Sequence, residues 1–174
     1  MKSRVFPSND TLAGRNGSEG RDWVSKGVDR ALRLLEKRPR TKHEIRMKLF
    51  NAGCPQDAIV RVLERLEQLG YIDDVRFARD WAQERAELKG LGKRRVRFEL
   101  LSKGIASELA DQAIYDVFST IDEDDMARRV AERRLPCYRD LDPVTKRRRL
   151  VLYLARRGFD FSTAERVVQE LVPL

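Results

Sequence analysis

The stretch Gly70–Ala78, GYIDDVRFA, decides the fold because it ends one helix and begins the next with almost no linker. Gly70 follows an apolar helical pattern at the position where a left-handed cap is favoured. Asp73 and Asp74 then place carboxylates at a helix start, where free N–H groups and the helix dipole stabilise them. We interpret the stretch as a structural joint through which neighbouring helical units pack. The joint residues are Gly70, Tyr71, Asp73, Asp74, Phe77 and Trp81.

An internal repeat with a period of about fifty residues surrounds this joint. An aliphatic residue, a leucine and a glycine recur at intervals of four residues in three places. These sets are Ile45, Leu49 and Gly53, then Val96, Leu100 and Gly104, then Leu150, Leu154 and Gly158. An apolar helical stripe follows each glycine in the same phase. Each set therefore predicts a helix that ends at the glycine, a second helix behind it, and one more helix before the pair.

The repeat predicts an all-α protein of three tandem three-helix repeats, at residues 27–69, 70–120 and 121–174, in an elongated, curved array. A repeat of this size has a marginal core, so its neighbours should pack against it. We expect a tight joint at 70–78 and a looser one at 119–121. Residues 1–26 are poor in large apolar side chains, so we expect a disordered or loosely docked tail.

Charge dominates the composition. The 174 residues include 36 Lys and Arg against 28 Asp and Glu, a net charge of +8, while only 7% are aromatic. Such a basic excess favours an acidic partner, most often nucleic acid. Cys54 and Cys137 lack the spacing of a disulfide framework or a zinc site. Without a signal peptide or an apolar run long enough for a membrane span, the sequence predicts a soluble, cytoplasmic protein with no membrane partner.

Basic residues crowd the first turns of the middle helix in each repeat. The helix dipole disfavours cations there by a few tenths to about 1 kcal/mol, so helix stability does not account for them. Lys and Arg beside free N–H groups form an anion site, suited to phosphate or to carboxylates of a partner. The alternative is a solvated face that neighbouring Glu side chains neutralise. The residues are Arg40, Lys42, Arg46 and Lys48, then Lys93, Arg94, Arg95 and Arg97, then Lys146, Arg147, Arg148 and Arg149.

Catalytic and metal-binding patterns are weak in this sequence. The four consecutive acids from Asp122 to Asp125 open a helix, and such residues do not converge on one metal ion. Asp73 and Asp74 are adjacent, so they point to different faces of a helix and do not form a nuclease pair. His43 and Cys54 lack the third group of a nucleophilic site. The sequence therefore predicts neither an enzyme nor a cofactor.

Four segments of the chain together form a recognisable pattern, namely 38–41 with 44–46 and 48–49, GYIDDVRFARDW at 70–81, 92–97 with 99–100 and 103–105, and 156–159. In these segments the chain resembles the RecX family, whose members regulate the RecA recombinase. Lys103, Arg156 and Arg157 lie in these segments and join the candidate contact residues.

The resemblance implies three tandem three-helix repeats, no enzyme activity and a monomer in the groove of the RecA–DNA filament. There it would restrain ATP hydrolysis, strand exchange and co-protease activity, and DNA alone would be bound only weakly. Two alternatives remain open. One is a stand-alone nucleic-acid-binding regulator that uses its helix pairs as helix-turn-helix modules, and the other is a metal-dependent nuclease.

Overall fold

Nine α-helices and one short 3₁₀ helix, with no β-strand, make up residues 13–173, the part of the chain that the computed structural model describes. None of these described helices is long and apolar enough to cross a bilayer. The helices are α1 (Ala13–Leu35), α2 (Lys42–Phe50), α3 (Gln56–Gln68), α4 (Asp74–Glu87), α5 (Lys93–Ser102), α6 (Ser107–Phe118), α7 (Glu123–Arg134), α8 (Pro143–Arg156) and α9 (Phe161–Leu171), with the 3₁₀ helix at Leu135–Tyr138. The all-α prediction is confirmed.

The helices pack in threes, α1 to α3, α4 to α6 and α7 to α9. The middle helix of each repeat buries two aliphatic side chains on one face, because residues four apart share a helix face. These pairs are Ile45 and Leu49, Val96 and Leu100, and Leu150 and Leu154, and none is more than 1% exposed. The predicted stripes on α3, α6 and α9 face the same cores. The three three-helix repeats are therefore confirmed.

The three repeat glycines end the middle helices in the left-handed region, with φ of 79° at Gly53, 76° at Gly104 and 95° at Gly158. The residue after each glycine donates its N–H to the carbonyl of the buried leucine five positions earlier, at 3.1 to 3.2 Å. This is the hydrogen bond of a Schellman cap, which satisfies a carbonyl that the helix itself leaves unpaired. The predicted caps are confirmed.

The chain divides into two compact units between Asp73 and Asp74. The first unit has its own core, and Ile72, 2% exposed, closes it. Repeats two and three share a single core in the second unit. The linker at 119–121, expected to be the looser joint, therefore lies inside one unit, with Phe118 and Met126 of the shared core on either side. That expectation is wrong because the composition of a linker does not reveal which helices pack around it.

Helix α1 begins earlier than the sequence pattern indicates. Residues 13–26, expected to belong to the tail, are helical, and residues 1–12 lie outside the described residues. Val24 packs against the core of the first unit. Gly27 approaches Val62 so closely that an added Cβ would lie 2.7 Å from Cγ2 of Val62. The expected tail boundary at residue 26 is therefore wrong, since Val24 lies one turn before Val28 and extends the same apolar face.

Candidate functional site

The basic side chains at the start of α5 all have acidic partners within the second unit. The pairs are Lys93–Glu123 at 2.9 Å, Arg94–Asp160 at 2.9 Å, Arg95–Glu99 at 3.3 Å and Arg97–Asp111 at 2.6 Å. Two of the acids come from the same repeat and two from the third repeat. The charge of this helix start is therefore largely neutralised inside the unit, as the alternative of a neutralised basic face predicts.

The first N–H groups of α5 are also occupied. Gly92 donates its N–H to the carbonyl of Arg157 at 2.9 Å, and Arg94 donates to the carbonyl of Gly158 at 3.2 Å. The positive end of α5 thus meets the negative end of α8, and each satisfies groups that the other leaves unpaired. We call this contact the α5–α8 seam. Because the N–H groups of Gly92 and Arg94 are taken, the start of α5 keeps fewer free donors than the anion-site hypothesis assumes.

Glycine at two positions permits the α5–α8 seam. A Cβ added to Gly158 would lie 2.3 Å from the backbone nitrogen of Arg95 and 2.8 Å from the carbonyl oxygen of Gly92. A Cβ added to Gly92 would lie 2.5 Å from the carbonyl group of Gly158. All three distances are below 3.0 Å, closer than real Cβ atoms approach other heavy atoms, and the opposing atoms are backbone. The two chains can therefore approach this closely only where neither carries a side chain.

Arg97 links α5 to α6. Its Nε and Nη2 donate to the two carboxylate oxygens of Asp111 at 2.6 and 3.0 Å, and Nη2 also donates to the hydroxyl of Ser107 at 2.8 Å. This hydrogen bonding to Arg97 lowers the pKa of Asp111, while the same bond raises the pKa of Arg97. We call the three residues the Arg97 bridge.

The start of α8 differs, because part of its charge is unpaired. Lys146 donates to the carbonyl of Arg139 at 3.5 Å, and Arg147 donates to the carbonyl of Val172 at 2.5 Å. Arg148 and Arg149 are exposed and make no ion pair within the part of the chain that the structure describes. They remain available to a partner.

The neighbours Arg156 and Arg157 at the end of α8 have different surroundings. Arg156 is exposed and makes no ion pair with a described residue. Arg157 donates to the carbonyls of Lys89 and Gly90, the latter at 3.4 Å, and to the hydroxyl of Tyr153 at 3.3 Å. Arg157 therefore holds the end of α4 in place, a role inside the second unit.

In the first repeat, too, some candidate residues have partners within the unit and others are exposed. Arg40 donates to the carbonyl of Leu34 at the end of α1 at 3.2 Å, and Lys42 pairs with Glu67 of α3 at 2.5 Å. Arg46 and Lys48 are exposed and form no ion pair among the described residues. These two are the available cations of α2.

Lys103 and the joint aromatics form an internal cluster. The Lys103 ammonium lies 4.1 Å from the ring centre of Trp81 and 5.6 Å from that of Phe77. Trp81 stacks on Phe77, with ring centres 5.7 Å apart, and donates its Nε1–H to Glu99 at 3.2 Å. Phe77 and Trp81 therefore serve the second unit rather than a surface site.

The remaining joint residues lie at the division between the units. Gly70 has a positive φ of 72°, and the N–H of Tyr71 closes the cap on the carbonyl of Leu66 at 2.9 Å. Asp74 begins α4, directly after Asp73. The Tyr71 side chain is 54% exposed, whereas Ile72, 2% exposed, packs in the core of the first unit.

The acidic run at the start of α7 is used for capping and pairing. Asp122 accepts from the N–H groups of Asp124 and Asp125 at 3.0 and 3.1 Å and thereby caps α7. Asp124 accepts two hydrogen bonds from Arg166 at 2.6 and 2.8 Å, and this pairing lowers its pKa. No three His, Cys, Asp or Glu side chains in the described part of the chain are placed to hold a metal ion.

Three tandem three-helix repeats, with cations on the first and third middle helices that are unpaired among the described residues, define a helical-repeat protein. Models of the first, second and third three-helix domains of RecX match residues 28–66, 73–114 and 122–168. The regulatory protein RecX of Streptomyces coelicolor is 36% identical over 154 residues, covering 88% of this chain and 81% of its own. RecX of Prosthecochloris aestuarii is 32% identical over 147 residues, covering 84% and 94%. The chain belongs to the RecX family of regulatory proteins.

Solved structures agree on the fold. A crystal structure of RecX from Lactobacillus salivarius superposes with a TM-score of 0.76 at 24% identity, covering 86% of this chain and 97% of that one. A second crystal structure of regulatory protein RecX gives a TM-score of 0.76 at 20% identity, covering 96% and 80%. At this level of identity the similarity establishes the fold alone.

Proposed function

We propose that this protein binds RecA recombinase and RecA–DNA filaments, and that it inhibits RecA ATPase, strand exchange and co-protease activities. Membership of the RecX family carries the proposal. The protein acts by binding, as a cytoplasmic monomer without a cofactor, and it transforms no substrate. Its expected role is in the regulation of recombination, DNA repair and the SOS response.

Five exposed cations support a contact with an acidic surface. Arg46, Lys48, Arg148, Arg149 and Arg156 make no ion pair with described residues. In the filament they would meet DNA phosphate or carboxylates on RecA, and either contact gains from charge complementarity. The other candidates, Arg40, Lys42, Lys93, Arg94, Arg95, Arg97, Lys103, Lys146, Arg147 and Arg157, have partners within their own unit. We therefore rank these ten residues below the five exposed cations as contact residues.

The decisive experiment is RecA ATPase on single-stranded DNA with and without this protein. We expect inhibition of RecA ATPase that grows with the concentration of this protein. Pre-formed filaments should be inhibited, and filaments that assemble while this protein is present should be inhibited too. An ATPase that does not require DNA serves as the control for non-specific effects. Unchanged RecA ATPase at a saturating excess of folded protein would contradict the proposal.

The competing function is that of a stand-alone DNA-binding regulator. The same unpaired cations would serve it, so binding must be measured on naked and RecA-coated DNA over a range of salt concentrations. A protein that neutralises several phosphates loses affinity for naked DNA steeply as salt rises. A filament-binding protein prefers RecA-coated DNA and binds naked DNA weakly. Preference for naked DNA would favour the competing function.

A further inference from the structure

A groove opens between α8 and α9 in the third repeat, with a volume of about 540 Å³. Much of its wall is apolar and open to solvent, because Leu152 is 49% exposed and Phe161 is 53% exposed. Val151 is partly buried and Val168 is buried beneath them. Arg147 and Arg148 line the groove on α8, and Glu165 and Gln169 line it on α9. We call it the α8–α9 groove.

The second repeat shows why the groove is open. Gly104 and Gly158 are equivalent, so the two repeats align with an offset of 54 residues. With this offset, Arg97 of the Arg97 bridge corresponds to Val151. Ser107 corresponds to Phe161, and Asp111 corresponds to Glu165. In the second repeat these positions hold an ion pair that ties the two helices together. In the third repeat the arginine is a valine and the serine a phenylalanine, so Glu165 makes no ion pair with a described residue and apolar surface remains open.

Charge is distributed unevenly around the α8–α9 groove. Arg148 is exposed and unpaired among the described residues, and Arg149 beside it is likewise unpaired but does not line the groove. Glu165 lies on the opposite wall. A ligand with a carboxylate on the α8 side and an apolar group in the groove complements this arrangement. A phosphate backbone fits it poorly, because such a backbone offers no apolar group to insert between Leu152 and Phe161.

We propose that the α8–α9 groove binds an acidic peptide segment of the recombinase, rather than DNA. One large aliphatic or aromatic side chain of that segment inserts between Leu152 and Phe161, and a neighbouring carboxylate pairs with Arg148. This inference rests on the proposed function, since it assigns a place where the filament protein is held. A central apolar anchor beside an arginine is the usual composition of the part of an interface that carries most of its affinity.

Val151→Arg is the sharpest test of the groove. It restores the bridge of the second repeat, because the new arginine faces Glu165 as Arg97 faces Asp111. The variant closes the groove and at the same time adds a positive charge. If the third repeat acted through charge alone, binding to an acidic partner would therefore hold or strengthen. If the groove receives an apolar side chain, binding weakens, so the two mechanisms predict opposite signs.

Arg148→Glu and Arg149→Glu form a matched pair. Both remove an exposed, unpaired cation of α8 with the same change of charge, but only Arg148 lines the groove. Phe161→Ser, which introduces the residue of the second repeat, removes one apolar wall without adding charge. Phe98→Ser, at a phenylalanine that is 61% exposed on α5, is its control outside the groove.

Binding of these full-length variants is measured by fluorescence anisotropy against two probes, RecA assembled on single-stranded DNA and the same oligonucleotide alone. We expect Val151→Arg, Phe161→Ser and Arg148→Glu to weaken filament binding by at least about tenfold, Arg149→Glu to weaken it by a clearly smaller factor than Arg148→Glu, and Phe98→Ser by less than about threefold. Oligonucleotide binding should fall by the same factor in the two arginine variants. Melting curves establish which variants are folded, and Phe161→Ser decides the matter if Val151→Arg does not fold.

Three outcomes overturn the inference, and they are distinguishable. If folded Phe161→Ser and Val151→Arg bind the filament as tightly as the parent protein, the groove is excluded as a binding site, and the proposed function is unaffected. Equal losses in Arg148→Glu and Arg149→Glu show that α8 acts through its net charge, which is the outcome expected if this face meets DNA. A parent protein that binds neither RecA nor its filament overturns the proposed function together with the groove.

Discussion

The starts of α5 and α8 carry nearly the same run of basic residues, KRRVR at 93–97 and KRRR at 146–149, but the fold treats them differently. At α5, acids from α7 and from the start of α9, Glu123 and Asp160, reach the cations, and the end of α8 occupies the free N–H groups. At α8, Asp142 caps the helix by accepting from the N–H of Thr145 at 2.9 Å, and Arg148 and Arg149 remain unpaired among described residues. A basic run thus becomes available to a partner only where the packing brings no acid to it.

The largest expected effect comes from forcing the α5–α8 seam apart. Gly158→Ala should destabilise the second unit by at least about 3 kcal/mol, because its Cβ would collide with the backbone of Arg95 at a positive φ. Gly53→Ala, at the equivalent cap, should cost only about 1 kcal/mol, since nothing lies within 4 Å of its added Cβ. Urea unfolding measures both, followed by Trp81 fluorescence in a Trp23→Phe background for Gly158→Ala and by Trp23 fluorescence in a Trp81→Phe background for Gly53→Ala, with circular dichroism for each. Equal losses in the free energy of unfolding for the two variants would show that the α5–α8 seam does not restrict the residue at position 158.

The adjacent residues Arg156 and Arg157 test the contrast between an exposed cation and a cation that the fold uses for its own hydrogen bonds. Arg157→Ala should cost about 1 to 3 kcal/mol, because it leaves the carbonyls of Lys89 and Gly90 without their charged donor. Arg156→Ala should change the free energy of unfolding by less than about 0.5 kcal/mol, as is usual for an exposed side chain without a partner. Denaturant unfolding provides both values. If Arg157→Ala were as stable as Arg156→Ala, the hydrogen bonds from Arg157 would contribute nothing to the unit.

Charge reversal compares the two helix starts directly. From the dipole alone, glutamates at the start of α5 should leave stability unchanged or raise it slightly. The ion pairs reverse this expectation, because Arg94→Glu with Arg97→Glu would set new carboxylates against Asp160 and Asp111. We expect Tm to fall by about 5 °C in that double variant. Arg148→Glu with Arg149→Glu should melt within about 2 °C of the parent and bind RecA filaments at least about tenfold more weakly. The comparison would be contradicted if thermal melts showed the larger fall in Tm for the α8 double variant and filament titrations showed the larger loss of affinity for the α5 double variant.

The smallest expected effect is that of pH on the Arg97 bridge. The pKa of Asp111 is lower in the folded protein than its unfolded value of about 3.9, because Arg97 donates hydrogen bonds to the carboxylate. Its contribution to stability is therefore complete above about pH 4 and is lost as the pH falls through the folded pKa. Asp111→Asn should lower Tm slightly at pH 7 and make the fall in Tm below pH 4 shallower. Glu165→Gln, at the equivalent position without an ion pair, should leave Tm at pH 7 unchanged. Identical acid profiles for Asp111→Asn and the parent would exclude the bridge as a source of stability.

The sequence predicted the features that depend on local periodicity. Helical spacing located the buried residues, and the glycines located the caps, because both signals lie within one or two turns of chain. The fate of the α5 cations could not be predicted in this way, since Glu123 and Asp160 lie far along the chain. The start of α1 was missed because the segment before Val24 contains too few apolar residues for their spacing to mark a helix. The lining of the α8–α9 groove was missed as well, although the aligned repeats contain its signal in Val151 and Phe161.

The α5–α8 seam also has a consequence for the order in which the chain becomes structured during synthesis. The first unit contains all of its own helices by residue 73, so it can fold as soon as that segment is free. The second repeat cannot satisfy the N–H groups of Gly92 and Arg94 until Arg157 and Gly158 have been made, 66 residues after Gly92. At translation rates of roughly 5–20 residues per second, this interval is about 3 to 13 s. We therefore expect a nascent chain that ends before residue 157 to protect its first unit from proteolysis and to leave its second repeat open to cleavage.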